Sequence, residues 1–138
     1  MKKLLLLLLC VPLVGFGQLT MIPDVNFEQA LINLGYDTGT PNGSVPTANI
    51  NTLTTIDLSS TSISDLTGIE DFSALLYLYC QDNQLSSIDI SNNTTLIYLE
   101  CDANQLTSLD ITANVNLNNL QCSYNNLSTL DVTSNPLL

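Results

Sequence analysis

LIYLECDANQLTSLDITANVN, residues 96–116, is one beat of a repeat. LLYLYCQDNQLSSIDISNNTT (75–95) precedes it and LNNLQCSYNNLSTLDVTSNPL (117–137) follows, each 21 residues long. The three share the frame L-x-x-L-x-C-x-x-N-x-L-x-x-[LI]-D-[IV]-[ST], and a second asparagine, Asn93, Asn114 or Asn135, closes each copy. A looser copy of 22 residues, Leu53 to Ala74, comes first, with Leu58 at the cysteine position and Thr61 at the asparagine position. Self-similarity at a fixed period of about 20 to 50 residues marks a repeat architecture. Each unit is too small to cover its own apolar side, and stacked neighbours cover it instead.

The third to sixth positions of each unit are expected to form a short strand. Alternation along it sends Leu78 and Cys80 inward and Tyr77 and Tyr79 outward. Successive strands then pair in parallel, about 4.8 Å apart. The frame resembles the leucine-rich repeat, and it does so over 53–137, asparagine included. The resemblance implies a leucine-rich-repeat solenoid of α/β class: mostly short parallel strands on one side, an irregular or 3-10 convex side, and units at 53–74, 75–95, 96–116 and 117–137.

Three columns run through the units. Cys80, Cys101 and Cys122 continue the place held by Leu58, so the column needs an apolar side chain of modest size, and a free thiol behaves as one. Three thiols in a line cannot surround a zinc ion tetrahedrally, and the chain has no histidine to help. Buried core thiols are the favoured reading. A disulfide between adjacent coils is the alternative, although three thiols leave one over. Asn83, Asn104 and Asn125 form the second column. Where the chain bends inward after a strand, backbone groups lose their ladder partners, and an amide can satisfy both donors and acceptors. These two columns are read as a structural ladder. Asp89, Asp110 and Asp131 form the third. Like charges about 5 Å apart repel by roughly 0.8 kcal/mol even at water's dielectric. Hydrogen bonds from nearby backbone N–H groups and solvent screening are the favoured compensation, with calcium as the alternative. The column lacks the spaced ligand set of a dedicated calcium loop, so no metal or other cofactor is expected.

The chain of 138 residues has the size of one domain. It opens MKKLLLLLLCVPLVGFGQ, with two lysines, an apolar run from Leu4 to Phe16, and small residues at Gly15 and Gly17. This is the pattern of a secretory signal peptide, residues 1–17, and the run falls short of the about 20 residues a membrane span needs. A secreted or cell-surface location is expected. Lys2 and Lys3 are the only basic residues, so residues 18–138 keep all 13 acids and no base, and the formal charge passes from −11 to −13. Nucleic acid and an anionic membrane surface are excluded as partners, because both are held through Lys or Arg. Catalysis is not expected either. Without His, Lys or Arg no Ser/His or Cys/His pair forms. Glu100 and Asp102, though close, lie on an open, solvated strand surface that does not raise an acid's pKa.

Residues 18–52 lack the frame. In IPDVNFEQALINLGYD (22–37), Asp24 is a good N-cap, Phe27, Ala30, Leu31 and Leu34 share a face, and Gly35 ends the helix. DTGTPNGSVPTANI (37–50) is a turn-rich link. A solenoid exposes its first coil, so an N-terminal helical cap is expected here. The PDVNFEQALINLG start, the TANI link and the DLTGIEDF turn (65–72) resemble secreted leucine-rich-repeat proteins of Bacteroidetes-type bacteria. DLTGIEDF also resembles internalin-type repeats. Leu138 falls where a fifth unit would begin, so the C-terminal end of the stack is expected to be open or covered by something else.

The outward positions of the strands and their exits line the concave face: Thr55, Asp57 and Ser59; Tyr77, Tyr79, Gln81 and Asp82; Tyr98, Glu100 and Asp102; Asn119, Gln121, Ser123 and Tyr124. Tyr77, Tyr79, Tyr98, Glu100, Asp102, Gln121 and Tyr124 are the candidate ligand-binding residues. Tyrosines bring large contact area at low entropy cost. They are equally at home as cross-strand neighbours chosen for strand propensity. The expected function is an exported, non-enzymatic module that binds a protein, or adheres, through this face. A glycan-binding module and a structural spacer within a larger surface protein are the alternatives. An uncapped last coil adds a surface for self-association.

Overall fold

The computed structural model describes residues 17–138. The signal-peptide reading therefore lies, up to Phe16, outside the described residues. The chain runs β1 (Leu19–Met21), α1 (Val25–Asn33) and β2 (Ser44–Pro46), then one strand per repeat: β3 (Thr55–Asp57), β4 (Tyr77–Tyr79), β5 (Tyr98–Glu100) and β6 (Asn119–Gln121). The last four pair in parallel in chain order. Register follows the repeat: Thr55 faces Tyr77, Tyr77 faces Tyr98, and Tyr98 faces Asn119. Among the described residues the return path is built of turns, with one 3-10 segment, Ile69–Asp71, in the first unit. One short parallel strand per coil and a turn-built return make this a leucine-rich-repeat solenoid.

The core is a set of columns in which like stacks on like. Ile56, Leu78 and Leu99 form one, Leu58, Cys80 and Cys101 the next, and Ile63, Leu85 and Leu106 a third, all buried. Burying a side chain of this size stabilises by about 1.5–3 kcal/mol. Cover thins most at the last coil, where Leu120, Cys122, Leu127 and Leu130 are all partly buried, while in the earlier coils the partly buried hydrophobics packed against the core are, among the described residues, Leu53 and Ile88.

Turning out of each strand requires unusual backbone. Ser60, Asp82, Ala103 and Tyr124, two residues past each strand-end core position, have φ of 54°, 55°, 51° and 52°. Left-handed backbone costs a non-glycine residue roughly 1–2 kcal/mol. The next residue holds the turn. Asn83 Nδ2 donates to Cys80 O (3.1 Å) and Gln81 O (3.2 Å) within its own turn and to Leu58 O (2.8 Å) of the preceding coil. Its Oδ1 accepts from Ile63 N–H at 2.9 Å. Asn104 repeats this with Cys101, Asp102 and Cys80 carbonyls and with Leu85 N–H (2.9 Å). Asn125 repeats it with Cys122, Ser123 and Cys101 carbonyls and with Leu106 N–H (3.0 Å). Thr61, their counterpart in the first unit, donates its hydroxyl to Leu58 O at 2.7 Å.

A second ladder stands at the far end of each coil. The Nδ2 of Asn93 donates to Ile69 O and Phe72 O, that of Asn114 to Ile90 O and Asn93 O, and that of Asn135 to Ile111 O and Asn114 O. All three side chains are buried, and their Oδ1 atoms take no donor.

The helical cap expected at 18–52 is a mixed unit instead. α1 is nine residues long, and beside it β1 and β2 pair antiparallel. The short strands follow a period of two, with Thr20 and Val45 inward and their neighbours outward. Asp24 joins this unit to the first coil. Its Oδ1 caps α1 through Asn26 N–H (2.8 Å) and Phe27 N–H (3.1 Å). Its Oδ2 accepts from Ser64 N–H and Oγ (both 2.8 Å) and Asp65 N–H (3.1 Å). Burial raises the pKa of Asp24, but these donors outweigh it and hold the carboxyl below its ordinary value. Phe27 stacks on Phe72 with ring centroids 6.2 Å apart. Buried Glu28 pins the link by accepting from Asn42 N–H (2.6 Å) and Gly43 N–H (2.7 Å). The approach is closest at Gly68 (φ 106°), where a Cβ would lie 2.3 Å from Ile22 Cδ1 and 2.6 Å from Met21 O.

Replacing Asn104 by alanine leaves Leu85 N–H without a partner and takes one of two donors from each of three carbonyls inside the stack, Cys80 O, Cys101 O and Asp102 O. Leaving buried groups unpaired costs about 1–3 kcal/mol. Urea unfolding followed by circular dichroism should show a loss at the upper end of that range for Asn104→Ala. Asn125→Ala should lose less, because its turn is half exposed. Equal small losses at both would contradict a stack held by its asparagines.

Candidate functional site

The outward residues of β4, β5 and β6 form one surface. Register lays Tyr77 beside Tyr98 and Tyr79 beside Glu100, then Tyr98 beside Asn119 and Glu100 beside Gln121. Tyr98 therefore stands between two tyrosines. Its ring centroid is 6.4 Å from that of Tyr77 and 5.1 Å from that of Tyr79, each pair tilted by 38°. Both distances fall in the range where aromatic rings attract. Tyr77 is exposed, while Tyr79, Tyr98 and Glu100 are half-buried.

Polar bonds fix this cluster across two strands. The Tyr98 hydroxyl donates to Glu100 Oε2 at 2.7 Å and accepts from Gln121 Nε2 at 2.6 Å. Donation to Glu100 favours the neutral phenol. Together with burial and the charge of Glu100, it pushes the Tyr98 pKa from 10.0 up to about 12. Beside the cluster, Gln81 Oε1 is shut from solvent and has no donor.

The candidate residues do not all gather. Tyr77, Tyr79, Tyr98, Glu100 and Gln121 share the strand face. Asp102 lies at the strand exit, where its carboxylate accepts from Ser123 N–H of the next coil. Tyr124 stands apart. It occupies the left-handed turn position, is 86% exposed, and takes no part in the ring contacts of the cluster.

The cysteine column is core. Cys80 and Cys101 are buried, Cys122 is half-buried, and none is paired. Burial drives the Cys80 thiol well above its ordinary value and pushes Cys101 up to about 12, and it raises Cys122 as well. Thiols held neutral in this way are poor nucleophiles and poor metal ligands.

The aspartate column closes turns. Asp89 Oδ1 accepts from Ser91 Oγ (2.7 Å) and N–H (3.0 Å). Asp110 accepts from Thr112 N–H (2.9 Å) and Oγ1 (2.7 Å), and Asp131 does the same with Thr133. These bonds hold all three carboxyls below their usual range, although Asp89 and Asp131 push Asp110 the other way. Among the described residues, no three Asp, Glu or Cys side chains are grouped to hold a metal ion. Ser91, Thr112 and Thr133 thus have a role the sequence reading missed, as do Asn93, Asn114 and Asn135. In both cases the signal was a fixed place in the repeat frame.

No family model matches the chain. Among curated proteins, internalin J of Listeria monocytogenes serotype 4b is 44% identical over 43 residues, which is 31% of this chain and 5% of that protein. The solved functional domain of internalin J from Listeria monocytogenes, described as including a cysteine ladder, is 39% identical. The match covers 88% of this chain and 28% of that one, with a TM-score of 0.79. An internalin of the inlF type from the same species, at 24% identity and a TM-score of 0.69 over 79% of this chain and 32% of that one, shares the fold. The chain therefore spans under a third of each of these three proteins, and its repeats are internalin-like leucine-rich repeats.

Two measurements follow from this geometry. In an ultraviolet-monitored alkaline titration, one of the five tyrosines should ionise near pH 12, and Glu100→Gln should return it toward 10. The neutral phenol stabilises the fold below pH 10, and that contribution is lost as pH rises through 12. A single tyrosine step near 10 would refute the Tyr98–Glu100 bond in solution. Separately, iodoacetamide at neutral pH should label Cys122 slowly and leave Cys80 and Cys101 untouched until urea is added, as read by mass spectrometry. Prompt labelling of Cys80 would show that the column is not packed as core.

Proposed function

We propose that the chain is an exported, non-enzymatic recognition module that binds a protein partner on the outward face of β4–β6. The observation that carries this reading is the Tyr77–Tyr98–Tyr79 cluster with its hydroxyl locked by Glu100 and Gln121. It is an aromatic surface turned to solvent and built on strands rather than loops. Side chains already held in place lose little freedom on binding, so more of the contact energy appears as affinity. Likeness to internalin repeats supports an interaction or adhesion module. The signal-peptide pattern at 1–17 supports a secreted or cell-surface place, with residues 18–52 closing the first of four repeat units. Among the described residues no helix is long and apolar enough to cross a membrane. Residues 18–138 also lack the His, Lys and Arg from which most acid–base and nucleophilic sites are built.

A photo-crosslinking amino acid tests the face directly. Placed at Tyr77 it should trap an extracellular protein. Placed at Thr107, exposed on the return path, it should not. Tyr79→Ala combined with Tyr98→Ala should abolish the crosslink while leaving the circular dichroism spectrum unchanged. Equal trapping at both sites would sink the proposal. Retention on a neutral glycan array, lost in the double variant and with no protein trapped, would replace it with a glycan-binding module.

A further inference from the structure

Resting on that reading of the face, we propose that the protein partner presents an arginine-rich segment, with one arginine seated over the Tyr79–Tyr98 pair and bonded to Glu100. Three observations converge on this chemistry.

The first is charge. Residues 18–138 hold 13 acids and no base. Every charge on and beside the face is negative: Asp57 and Glu100 on the strands, Asp82 and Asp102 at their exits. Within a Debye length of about 8 to 10 Å these fields add, so an acidic partner is repelled and a cationic one is drawn in.

The second is ring geometry. Tyr79 and Tyr98 lie 5.1 Å apart and tilted by 38°, which leaves their faces splayed rather than stacked on each other. A cation within about 6 Å of a ring centroid is attracted by the ring's quadrupole. A planar guanidinium stacks on such a face, whereas an ammonium, compact and strongly hydrated, does so less well.

The third is the carboxylate. Glu100 Oε2 is held by the Tyr98 hydroxyl, which fixes the group's orientation. Its Oε1 takes no hydrogen bond from the described residues. Gln121 is turned to Tyr98 and leaves that oxygen free. Asp57 and Asp102 are already engaged by Ser59 N–H and Ser123 N–H. Each of these acids keeps a free oxygen, but Glu100 is the one bonded to a ring of the pair itself, which makes it the directed acceptor while the others supply field. The Asp89, Asp110 and Asp131 column makes the contrast. It carries three acids to the face's four, but each carboxylate closes its own turn, and the column contains no aromatic residue.

The experiment titrates the purified chain at physiological salt with hexa-arginine, hexa-lysine and an uncharged Gly/Ser hexapeptide. Tyrosine emission is the readout, since the chain has no tryptophan. Hexa-arginine should bind several-fold tighter than hexa-lysine, and the Gly/Ser peptide should not bind. Tyr79→Ala and Glu100→Gln should each weaken hexa-arginine about tenfold, the scale of one cation–π contact or one charge-assisted bond. Asp89→Asn, Asp110→Asn and Asp131→Asn together remove more charge but should change affinity less than twofold. If that triple variant weakens binding as much as Glu100→Gln, attraction is only net charge and the proposal falls. Equal affinity for the arginine and lysine peptides also overturns it. A face-dependent protein crosslink at Tyr77 without hexa-arginine binding would sink the cationic partner alone and leave the protein-binding reading standing. Absence of both would end both.

Discussion

The stack depends on one constraint: after each strand of the solenoid the chain must turn inward through a residue of positive φ, and the next side chain, threonine in the first unit and asparagine in the other three, must hold that turn. The amide is matched to the task. Its two N–H donors reach carbonyls of its own turn and of the preceding coil, and its oxygen takes an N–H of that coil. The same group therefore sets both the turn and the spacing between coils. An aspartate would bring no donor, and a glutamine would place its amide one methylene too far. Because this ladder recurs at Asn83, Asn104 and Asn125, the residues around it inherit fixed places. The position before the turn must be buried and modest in size, which is where leucine and the three cysteines stand.

A repeat protein must also close its ends, and the N-terminal end does so with the same logic in another residue. Asp24 caps α1 with one oxygen and takes three donors of the first unit with the other. One side chain again bonds within its own element and across to the neighbour. Burial then grades along the stack, from complete at Leu78 and Cys80 to partial at Leu120 and Cys122. Stability in such arrays is roughly a sum of unit and interface contributions, so each coil's share depends on how fully its neighbours cover it.

Most of the fold was legible in the sequence because a period of 21 residues carries three kinds of information at once: the strand, the inward column and the turn. The N-cap at Asp24 was legible because capping is local. The pairing of β1 with β2 was not. Its strands are three residues long, lie either side of a helix, and alternate too briefly to register as a pattern. On the candidate face, the rows of tyrosine and acid were legible from alternation alone. The bond from Gln121 to Tyr98 was not, since it joins side chains 23 residues apart and depends on their rotamers. Tyr124 was placed with the face by counting outward positions. The left-handed turn begins just there and carries it out of the strand plane.

The composition of the outward rows bears on why they are there. Inward columns repeat almost unchanged because each must pack on its copy. Outward rows face no such demand, and they vary: Thr55, Tyr77, Tyr98, Asn119 in one and Asp57, Tyr79, Glu100, Gln121 in the other. Strand propensity accounts for threonine and tyrosine. It does not account for Asp57, Glu100 or Asn119, which belong to residue types depleted in strands. Nor does stacking energy, since Asp57 and Glu100 flank the Tyr79 position and bring carboxylates to the edge of an aromatic cluster. Asp57 and Glu100 do have local tasks, accepting from Ser59 N–H and from the Tyr98 hydroxyl, and the proposed partner would give them a further one. A partner that offers cations to rings and carboxylates together is the simplest chemistry that uses both.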